Sequence, residues 1–211
     1  MMSRIGVLGG MFDPIHNGHI QAASYASQCL SLDMVKLVPC SIPNHRAETQ
    51  TDAHHRLAML ELAIEGRAGL EVDTIELERT GVSYSVDTIR ELVRKNKEAD
   101  IVFILGMDAF NSLTSWYDWE SLLDQCCFFV LSRMRGTINP DVAAAINLED
   151  RVVDSAESLF KEGAGSFYFA TDFNYDLSST EVRSKLLENK NLGDDLNDKV
   201  YSYIKSNNLY H

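Results

Sequence analysis

Short apolar runs alternate with stretches of helical periodicity along most of this 211-residue chain. Several runs are apolar at both alternate positions, which is typical of strands buried on both faces of a sheet. The runs predict strands at Arg4–Leu8, Met34–Pro39, Glu71–Glu76, Ile101–Leu105, Cys127–Ser132 and Ser166–Ala170. The stretches between them predict helices at Gly18–Leu30, Asp52–Glu65 and Ser85–Lys95. This order of elements predicts an α/β fold with a doubly wound parallel sheet.

The last part of the chain breaks this alternation. Two helical patterns follow one another there, at about Ser179–Leu187 and Asp194–Ser206, and the second carries a clear apolar stripe. We expect these helices to form a cap, at about 177–211, on the same core as the sheet. A chain of this length is typical of one domain, so residues 1–211 are predicted to form a single domain.

Ligands bind to sheets of this type outside the carboxyl ends of the strands, in the loops that follow them. In this chain those loops are 9–18, 40–51, 79–85, 106–117, 132–137 and 171–179. The functional residues are therefore expected in these segments.

Charge and cysteine content exclude several function classes. The chain has 19 Lys and Arg against 31 Asp and Glu, a net charge of −12, which disfavours partners such as nucleic acid or an anionic membrane. An anionic small substrate stays compatible, because a few cations can dominate one cleft. The four cysteines form no CxxC pair, so neither a disulfide framework nor a zinc site is predicted, and we expect a cytoplasmic protein. The apolar runs are too short to cross a bilayer, and we recognise no signal peptide.

The first of the loops, GGMFDPIHNGH from Gly9 to His19, carries the strongest chemical signal. Its two leading glycines let the backbone approach a ligand closely, and the helix that follows offers free N–H groups and a positive dipole. His16 and His19 are three residues apart at that helix start, so both rings can serve one anion such as a phosphate. Two other interpretations stay open, a plain turn with a capped helix and a metal site made by Asp13, His16 and His19.

The same loop resembles the HxGH signature of a nucleotidyltransferase superfamily. Further along, other segments are similar, in order and spacing, to the bacterial nicotinate-mononucleotide adenylyltransferases. They are IPNHR at 42–46, SYSVDTI at 83–89, LGMD at 105–108, TSWYDWE at 114–120, LSSTEVR at 177–183 and the C-terminal YIKSNNLYH. The chain is therefore identified as a member of that family over nearly its whole length.

The resemblance implies a Rossmann-like fold and an enzyme that joins ATP and nicotinate mononucleotide into deamido-NAD, releasing pyrophosphate, with Mg²⁺. A monomer or a homodimer is expected. The residues implied in catalysis are His16, His19 and Arg183. Those implied in binding ATP are Gly9, Gly10, Met11, Phe12, Gly106, Arg133, Ser178 and Ser179. Those implied in binding the mononucleotide are Cys40, His45, Arg46, Tyr84, Ser85, Asp108, Trp116 and Tyr117.

Within the mononucleotide pocket, the resemblance implies that Trp116 stacks on the pyridine ring and that Asp108 contacts the ribose. Backbone N–H groups near Tyr117 and in the Tyr84–Ser85 segment would receive the nicotinate carboxylate. Such a site selects the carboxylate of nicotinate over the amide of nicotinamide, because both carboxylate oxygens accept hydrogen bonds, whereas the NH₂ group of the amide is itself a donor.

The chain departs from the family's usual pattern at three places. Met11 stands where a threonine or serine hydroxyl is usual, Cys40 where an asparagine is usual, and Arg133-Met134-Arg135-Gly136 replaces an RPG-like turn. Each change costs about 1–3 kcal/mol if it removes a bond to a charged group. These departures keep two alternatives open, an adenylyltransferase with another acceptor (nicotinamide mononucleotide or phosphopantetheine) and a nucleotide-binding paralogue without turnover.

Overall fold

The computed structural model describes residues 2–43, 50–132, 137–175 and 177–210. Within these ranges the strands are Ser3–Gly10 (β1), Met34–Pro39 (β2), Ile42–Pro43 (β3), Leu70–Val72 (β4), Val82–Ser83 (β5), Ala99–Gly106 (β6), Cys127–Leu131 (β7), Val152–Val153 (β8) and Phe167–Ala170 (β9). The α-helices are Asn17–Leu30 (α1), Ala53–Ile64 (α2), Ile75–Glu78 (α3), Ser85–Lys95 (α4), Met107–Asn111 (α5), Trp119–Leu123 (α6), Pro140–Ala145 (α7), Ala156–Glu162 (α8), Ser179–Leu187 (α9) and Asp198–Ser206 (α10).

Seven of the strands form one sheet in the order β4-β2-β1-β6-β7-β9-β8. Every pairing in it is parallel. The chain builds the sheet outward from β1 in one direction through β2 and in the other through β6. The order thus reverses between β1 and β6, and a crevice at this point is where doubly wound sheets bind ligands. The Rossmann-like α/β architecture predicted from the sequence is confirmed.

The two faces of the sheet are covered by two apolar clusters. Adjacent residues of one strand belong to different clusters: Val7 lies in one and Leu8 in the other, and Phe128 and Phe129 divide in the same way. This is the physical reason why the strands read as unbroken apolar runs. The helices α9 and α10 contribute buried residues to the same cluster as α1 and α2.

Two predicted elements are wrong in their bounds. The strand predicted at Glu71–Glu76 ends at Val72, because the Asp73 carboxylate accepts from the backbone N–H of Ile75 at 3.1 Å and starts α3. The helix predicted at Asp194–Ser206 is a short 3₁₀ turn followed by α10. Asn197 begins α10 by accepting from the Lys199 N–H at 2.8 Å.

A second, two-stranded sheet joins two of the loops at the crevice. β3 pairs in parallel with β5, with Ile42 opposite Val82 and Pro43 opposite Ser83. The backbone N–H of Ser41 also donates to Ser83 Oγ at 3.2 Å. The loop after β2 is therefore fixed against the segment that leads into α4.

In the described part of the chain, no helix has the length and apolar character needed to cross a membrane. All four cysteines lie in the described ranges and are free thiols.

Candidate active site

The helix α1 begins with the histidine motif at the carboxyl end of β1. His16 is the N-cap residue and is buried, and Gly18 lies in the first turn below it. A Cβ atom at Gly18 would come within 2.9 Å of His16 Nδ1. The glycine therefore leaves the space that the His16 ring occupies, which explains why this position of the motif has no side chain.

The two imidazole rings lie against each other, with ring centroids 3.7 Å apart. The backbone N–H of His16 donates to His19 Nδ1 at 3.3 Å, so the proton of a neutral His19 ring lies on Nε2. His16 Nδ1 is buried and has no hydrogen-bond partner among the described residues. Burial lowers the pKa of His16 to about 4, against smaller opposing contributions from Asp195 and Glu181. The ring is therefore neutral at pH 7.

Open space lies above the ends of the two central strands. Gly9 is the next-to-last residue of β1 and Gly106 the last of β6, and both are exposed. A Cβ atom at Gly106 would meet no described atom within 4 Å, and one at Gly9 would meet only the Phe103 ring at 3.9 Å. Gly10 differs, because a Cβ there would lie 3.2 Å from the Phe12 ring. The strand ends thus present bare backbone to the crevice.

The side chain of Phe12 is buried under the loop and has its edge toward His19, with ring centroids 5.0 Å apart. Its backbone is left-handed, with φ at 47°. Because the ring is enclosed, any contact of Phe12 with a nucleotide is made by its backbone.

The helix α9 is tied to the same loop by two of the predicted phosphate residues. Arg183 Nη1 donates to the Asp13 carbonyl at 2.7 Å, and Ser179 Oγ donates to the Pro14 carbonyl at 3.0 Å. Ser178 forms a capping box, in which its hydroxyl accepts from the Glu181 N–H at 3.2 Å and donates to the Glu181 carboxylate at 2.8 Å. In this structure the Ser179 hydroxyl ties α9 to the loop, whereas the Ser178 hydroxyl caps α9 itself.

The metal interpretation of Asp13, His16 and His19 is wrong. The Asp13 carboxylate is buried and accepts from Gln50 N–H at 2.8 Å and from the hydroxyls of Thr51 and Tyr210, each at 2.6 Å. Among the described residues, no group of three or more His, Cys, Asp or Glu side chains is arranged to hold a metal ion.

Three of the predicted mononucleotide residues are aromatic and make contacts with other side chains of the described chain. The rings of Tyr84 and Tyr117 lie 4.4 Å apart, and Tyr117 is largely exposed. Trp116 meets the Phe103 ring edge-on at 6.1 Å, and its Nε1 donates to Ser112 Oγ at 3.1 Å. Phe103 is the ring nearest Gly9, so this contact places Trp116 beside the end of β1.

Two predicted residues of this pocket lie at helix starts. Ser85 opens α4, whose N-cap residue Tyr84 makes no side-chain cap. The first-turn N–H groups of α4 are thus left without a side-chain partner, as a bound carboxylate requires. Asp108 lies exposed in the first turn of α5, two residues after Gly106. The predicted residues His45, Arg46 and Arg133 lie outside the described residues.

The cytidylyltransferase-like family model matches residues 7–185. Two relatives carry the name probable nicotinate-nucleotide adenylyltransferase. One, of Pseudoalteromonas atlantica, is 36% identical over 98% of this chain and 94% of that protein. The other, of Pseudomonas fluorescens, is 37% identical over 100% of this chain and 98% of that protein. The chain belongs to the nicotinate-nucleotide adenylyltransferases of the cytidylyltransferase-like family.

A solved structure supports the fold of this family member. The nicotinic acid mononucleotide adenylyltransferase of Plasmodium falciparum, complexed with NaAD, matches it with a TM-score of 0.74 at 21% sequence identity. The match covers 99% of this chain and 97% of that one.

The adenylyltransferase fold contains a buried cation that sequence reasoning missed. Arg56 on α2 is 1% exposed, and its Nη1 donates to the Met11 carbonyl at 2.7 Å. Its Nη2 lies 3.4 Å from the Ser41 carbonyl, whereas its Nε has no partner among the described residues. Arg56 thus joins the loops after β1 and β2. The available signal was an arginine at helical spacing from the apolar Met59 and Leu60.

The predicted residue Cys40 lies beside Arg56 and is paired with Glu76, which sequence reasoning missed. Burial, together with the nearby Glu76 carboxylate, raises the pKa of the Cys40 thiol to about 11. Burial also raises the pKa of Glu76, whose carboxylate accepts from Thr88 Oγ1 at 2.7 Å. Cys40 is therefore a protonated thiol at pH 7, and such a thiol is a poor nucleophile.

Proposed function

We propose that the protein transfers the adenylyl group of ATP to nicotinate mononucleotide, giving deamido-NAD and pyrophosphate. The observation that carries this proposal is the stacked His16–His19 pair above the glycine-lined end of β1, with a buried ring nitrogen that lacks a partner. Two relatives above 35% identity carry the name of this activity over nearly their full length.

In this reaction a phosphate oxygen of the mononucleotide attacks the α-phosphorus of ATP. A new P–O bond forms, the bond to the β-phosphate breaks, and pyrophosphate leaves with the electron pair. The attacking oxygen is already anionic, so the protein needs no strong base. Positioning and neutralisation of charge supply the rate.

The chain's own residues fit those two tasks. His19 donates its Nε2–H to a phosphate oxygen. When the proton of the His16 ring lies on Nδ1, this nitrogen also donates to a phosphate oxygen and thereby gains the hydrogen-bond partner that it lacks among the described residues. An adjacent phosphate favours the charged form of both rings, so we expect proton uptake when ATP binds. Arg183 adds a permanent charge next to the same loop. Mg²⁺ is proposed to enter with ATP, as part of the nucleotide substrate.

The acceptor side of the crevice suits a pyridinium ring and a carboxylate. A cationic ring stacked on the Trp116 indole gains a cation–π contact. The uncapped start of α4, next to Tyr84 and Tyr117, offers N–H groups and a positive dipole to the nicotinate carboxylate. We propose that these groups select the acid over the amide, and that the reaction takes place in the cytoplasm.

The deciding experiment measures pyrophosphate release with ATP and Mg²⁺, using nicotinate mononucleotide, nicotinamide mononucleotide and phosphopantetheine as acceptors. We expect kcat/KM for nicotinate mononucleotide to exceed the other two by about a hundredfold or more. A higher kcat/KM for another acceptor would assign that compound as the substrate in place of nicotinate mononucleotide. Release with none of the three, from folded protein that binds ATP, would favour the paralogue without turnover, and Met11→Thr would then be the first variant to make.

Trp116→Ala separates the two halves of the site. We expect it to raise KM for the mononucleotide more than KM for ATP, because only the pyridine ring loses its stacking partner. Trp119→Ala, three residues away, is the matched control. An equal rise in both KM values with Trp116→Ala would assign that side chain to the apolar core.

A further inference from the structure

Asp13 is the point where distant parts of the chain meet under the histidine loop. Three donors converge on its buried carboxylate: the Gln50 N–H, the Thr51 hydroxyl and the Tyr210 hydroxyl. Its carbonyl accepts from Arg183 of α9. The loop, the segment before α2, the helix α9 and the C-terminal segment are therefore fixed to one residue.

Tyr210 is the most distant of these partners, 197 positions along the chain from Asp13. Its side chain is buried in the apolar cluster that covers one face of the sheet. Burial, followed by the bond to Asp13, raises the pKa of the phenol above its ordinary value. The hydroxyl therefore keeps its proton at all physiological pH values and acts as a donor to the carboxylate.

The residues held in this way lead directly into the site. Pro14 follows Asp13, its carbonyl is fixed by Ser179, and His16 comes two positions later. Only two residues, Pro14 and Ile15, thus separate the anchored Asp13 from His16, whose ring faces the phosphates in the proposed function. We expect a shift of Asp13 to reach both imidazoles, because the two rings are in contact and the His16 backbone N–H donates to His19 Nδ1.

We propose that Tyr210 is a positioning residue for adenylyl transfer, acting through Asp13 on the placement of His16 and His19. Nothing in the position of Tyr210 brings it to the reacting atoms, and its hydroxyl is used by Asp13 and Thr51. This inference rests on the proposed function, since the reaction defines what the histidines are positioned for.

Tyr210→Phe tests the inference, because it removes the hydroxyl and leaves the buried ring in place. The matched control is Tyr203→Phe on α10, which loses a hydroxyl bonded to His55 Nδ1 at 2.9 Å, away from the histidine loop. We expect Tyr210→Phe to lower kcat about tenfold or more, with smaller changes in both KM values. Tyr203→Phe is expected to keep the wild-type kcat. Assays are made well below the unfolding temperature of each variant.

A second readout needs no turnover. The imidazole proton resonances of His16 and His19 are expected to shift in Tyr210→Phe and to stay unchanged in Tyr203→Phe. Failure of wild type to adenylate nicotinate mononucleotide would overturn the proposed function, and the resonances would still decide whether Tyr210 positions the histidines.

Thr51→Val gives an independent variant, since it removes another donor to the same Asp13 oxygen with little change of shape. We expect it to shift the same resonances and to lower kcat, and it decides the question if Tyr210→Phe does not fold. The inference is overturned if both variants keep the wild-type kcat and only lose stability. A fall in kcat with unchanged histidine resonances overturns it as well, because the hydroxyl would then act by another route.

Discussion

His16 combines two properties that oppose each other in an anion site. Its burial favours the neutral ring, whereas a neighbouring phosphate favours the charged one. A structure with the ring neutral before ATP binds keeps the site free of a buried, unpaired cation. Under the proposed function, His16 takes up its proton when ATP brings the negative charge that stabilises the charged ring.

The depressed pKa of His16 makes the free energy of unfolding depend on pH. The unfolded ring titrates near its ordinary pKa of 6.5 and the folded ring at about 4, so the unfolded state binds the proton first as pH falls. The lowered pKa of His16 leaves the free energy of unfolding unchanged above pH 6.5. It lowers that free energy by on the order of 3 kcal/mol at pH 4. We expect His16→Asn to show a correspondingly flatter dependence in urea unfolding between pH 7 and pH 4. His54→Asn, on the exposed end of α2, should keep the wild-type dependence.

His19→Ala removes a donor that the proposed reaction uses while charge moves between phosphates. We expect kcat to fall by about a hundredfold or more, with the unfolding temperature close to that of wild type. His54→Ala, an exposed histidine outside the crevice, controls for loss of an imidazole. A near-normal kcat for His19→Ala would remove the histidine pair from the mechanism.

Local sequence was enough to predict the histidines and glycines of the site, since they lie within eleven consecutive residues after one strand. Arg56, Glu76 and the Asp13–Tyr210 bond were missed because each depends on contacts made by the folded chain. No periodicity or motif relates positions 13 and 210. The role of Ser178 and Ser179 in binding ATP stays a prediction, and the structure adds that Ser178 caps α9 and that Ser179 bonds the loop.

Two helices of the site begin in opposite ways. The start of α9 is closed by the Ser178–Glu181 capping box, whereas that of α4 has no side-chain cap. A capped start is stable without a ligand, and an uncapped one offers its N–H groups to an anion. We propose on this basis that α9 supports the loop and that α4 binds the carboxylate.

Ser178→Ala tests the supporting role of α9. We expect it to lower the free energy of unfolding by about 1 kcal/mol, the usual cost of losing such a cap. It should also lower kcat, because α9 carries Arg183 and Ser179. Ser155→Ala is the matched control: Ser155 caps α8 by accepting from the Ser158 N–H at 3.2 Å, far from the histidines in the fold. The same loss of stability with unchanged kcat in both variants would contradict this role.

The sequence predicted the long, doubly buried strands well and the short elements poorly. Strands such as β6 and β7 have apolar residues on both faces, so their pattern is unambiguous. β3 and β5 have only two residues each, too few for any periodicity, although their pairing fixes two loops of the crevice. The helices α5 to α8 have five to seven residues and were likewise not predicted.

The C-terminal helices complete one of the two apolar clusters of the molecule. Val182, Leu186, Val200 and Ile204 are all buried against the same cluster as α1 and α2. Fully buried side chains of this kind contribute about 1.5–3 kcal/mol each. Their sum is comparable with the whole stability of a typical domain, about 5–15 kcal/mol. We therefore propose that residues 1–211 form one folding unit.

Shortening the chain after residue 176 tests that proposal. We expect the product to lose cooperative thermal unfolding, measured by circular dichroism, because an apolar face of α1 and α2 would be exposed to water. Deleting only residue 211, which lies beyond Tyr210, is the control and should keep the wild-type transition. A shortened chain that unfolds cooperatively would show that the sheet and its cap are separable.

The two tryptophans of the chain, Trp116 and Trp119, both lie in the short segment that borders the proposed pyridine pocket. The tryptophan emission of the protein, excited where its eight tyrosines do not absorb, therefore comes from that segment alone. A ligand stacked on Trp116 would quench or shift the emission, whereas a ligand over the histidine loop would not touch the indole. The protein thus carries its own optical reporter for one of its two substrates, and the order in which they bind is measurable without any label.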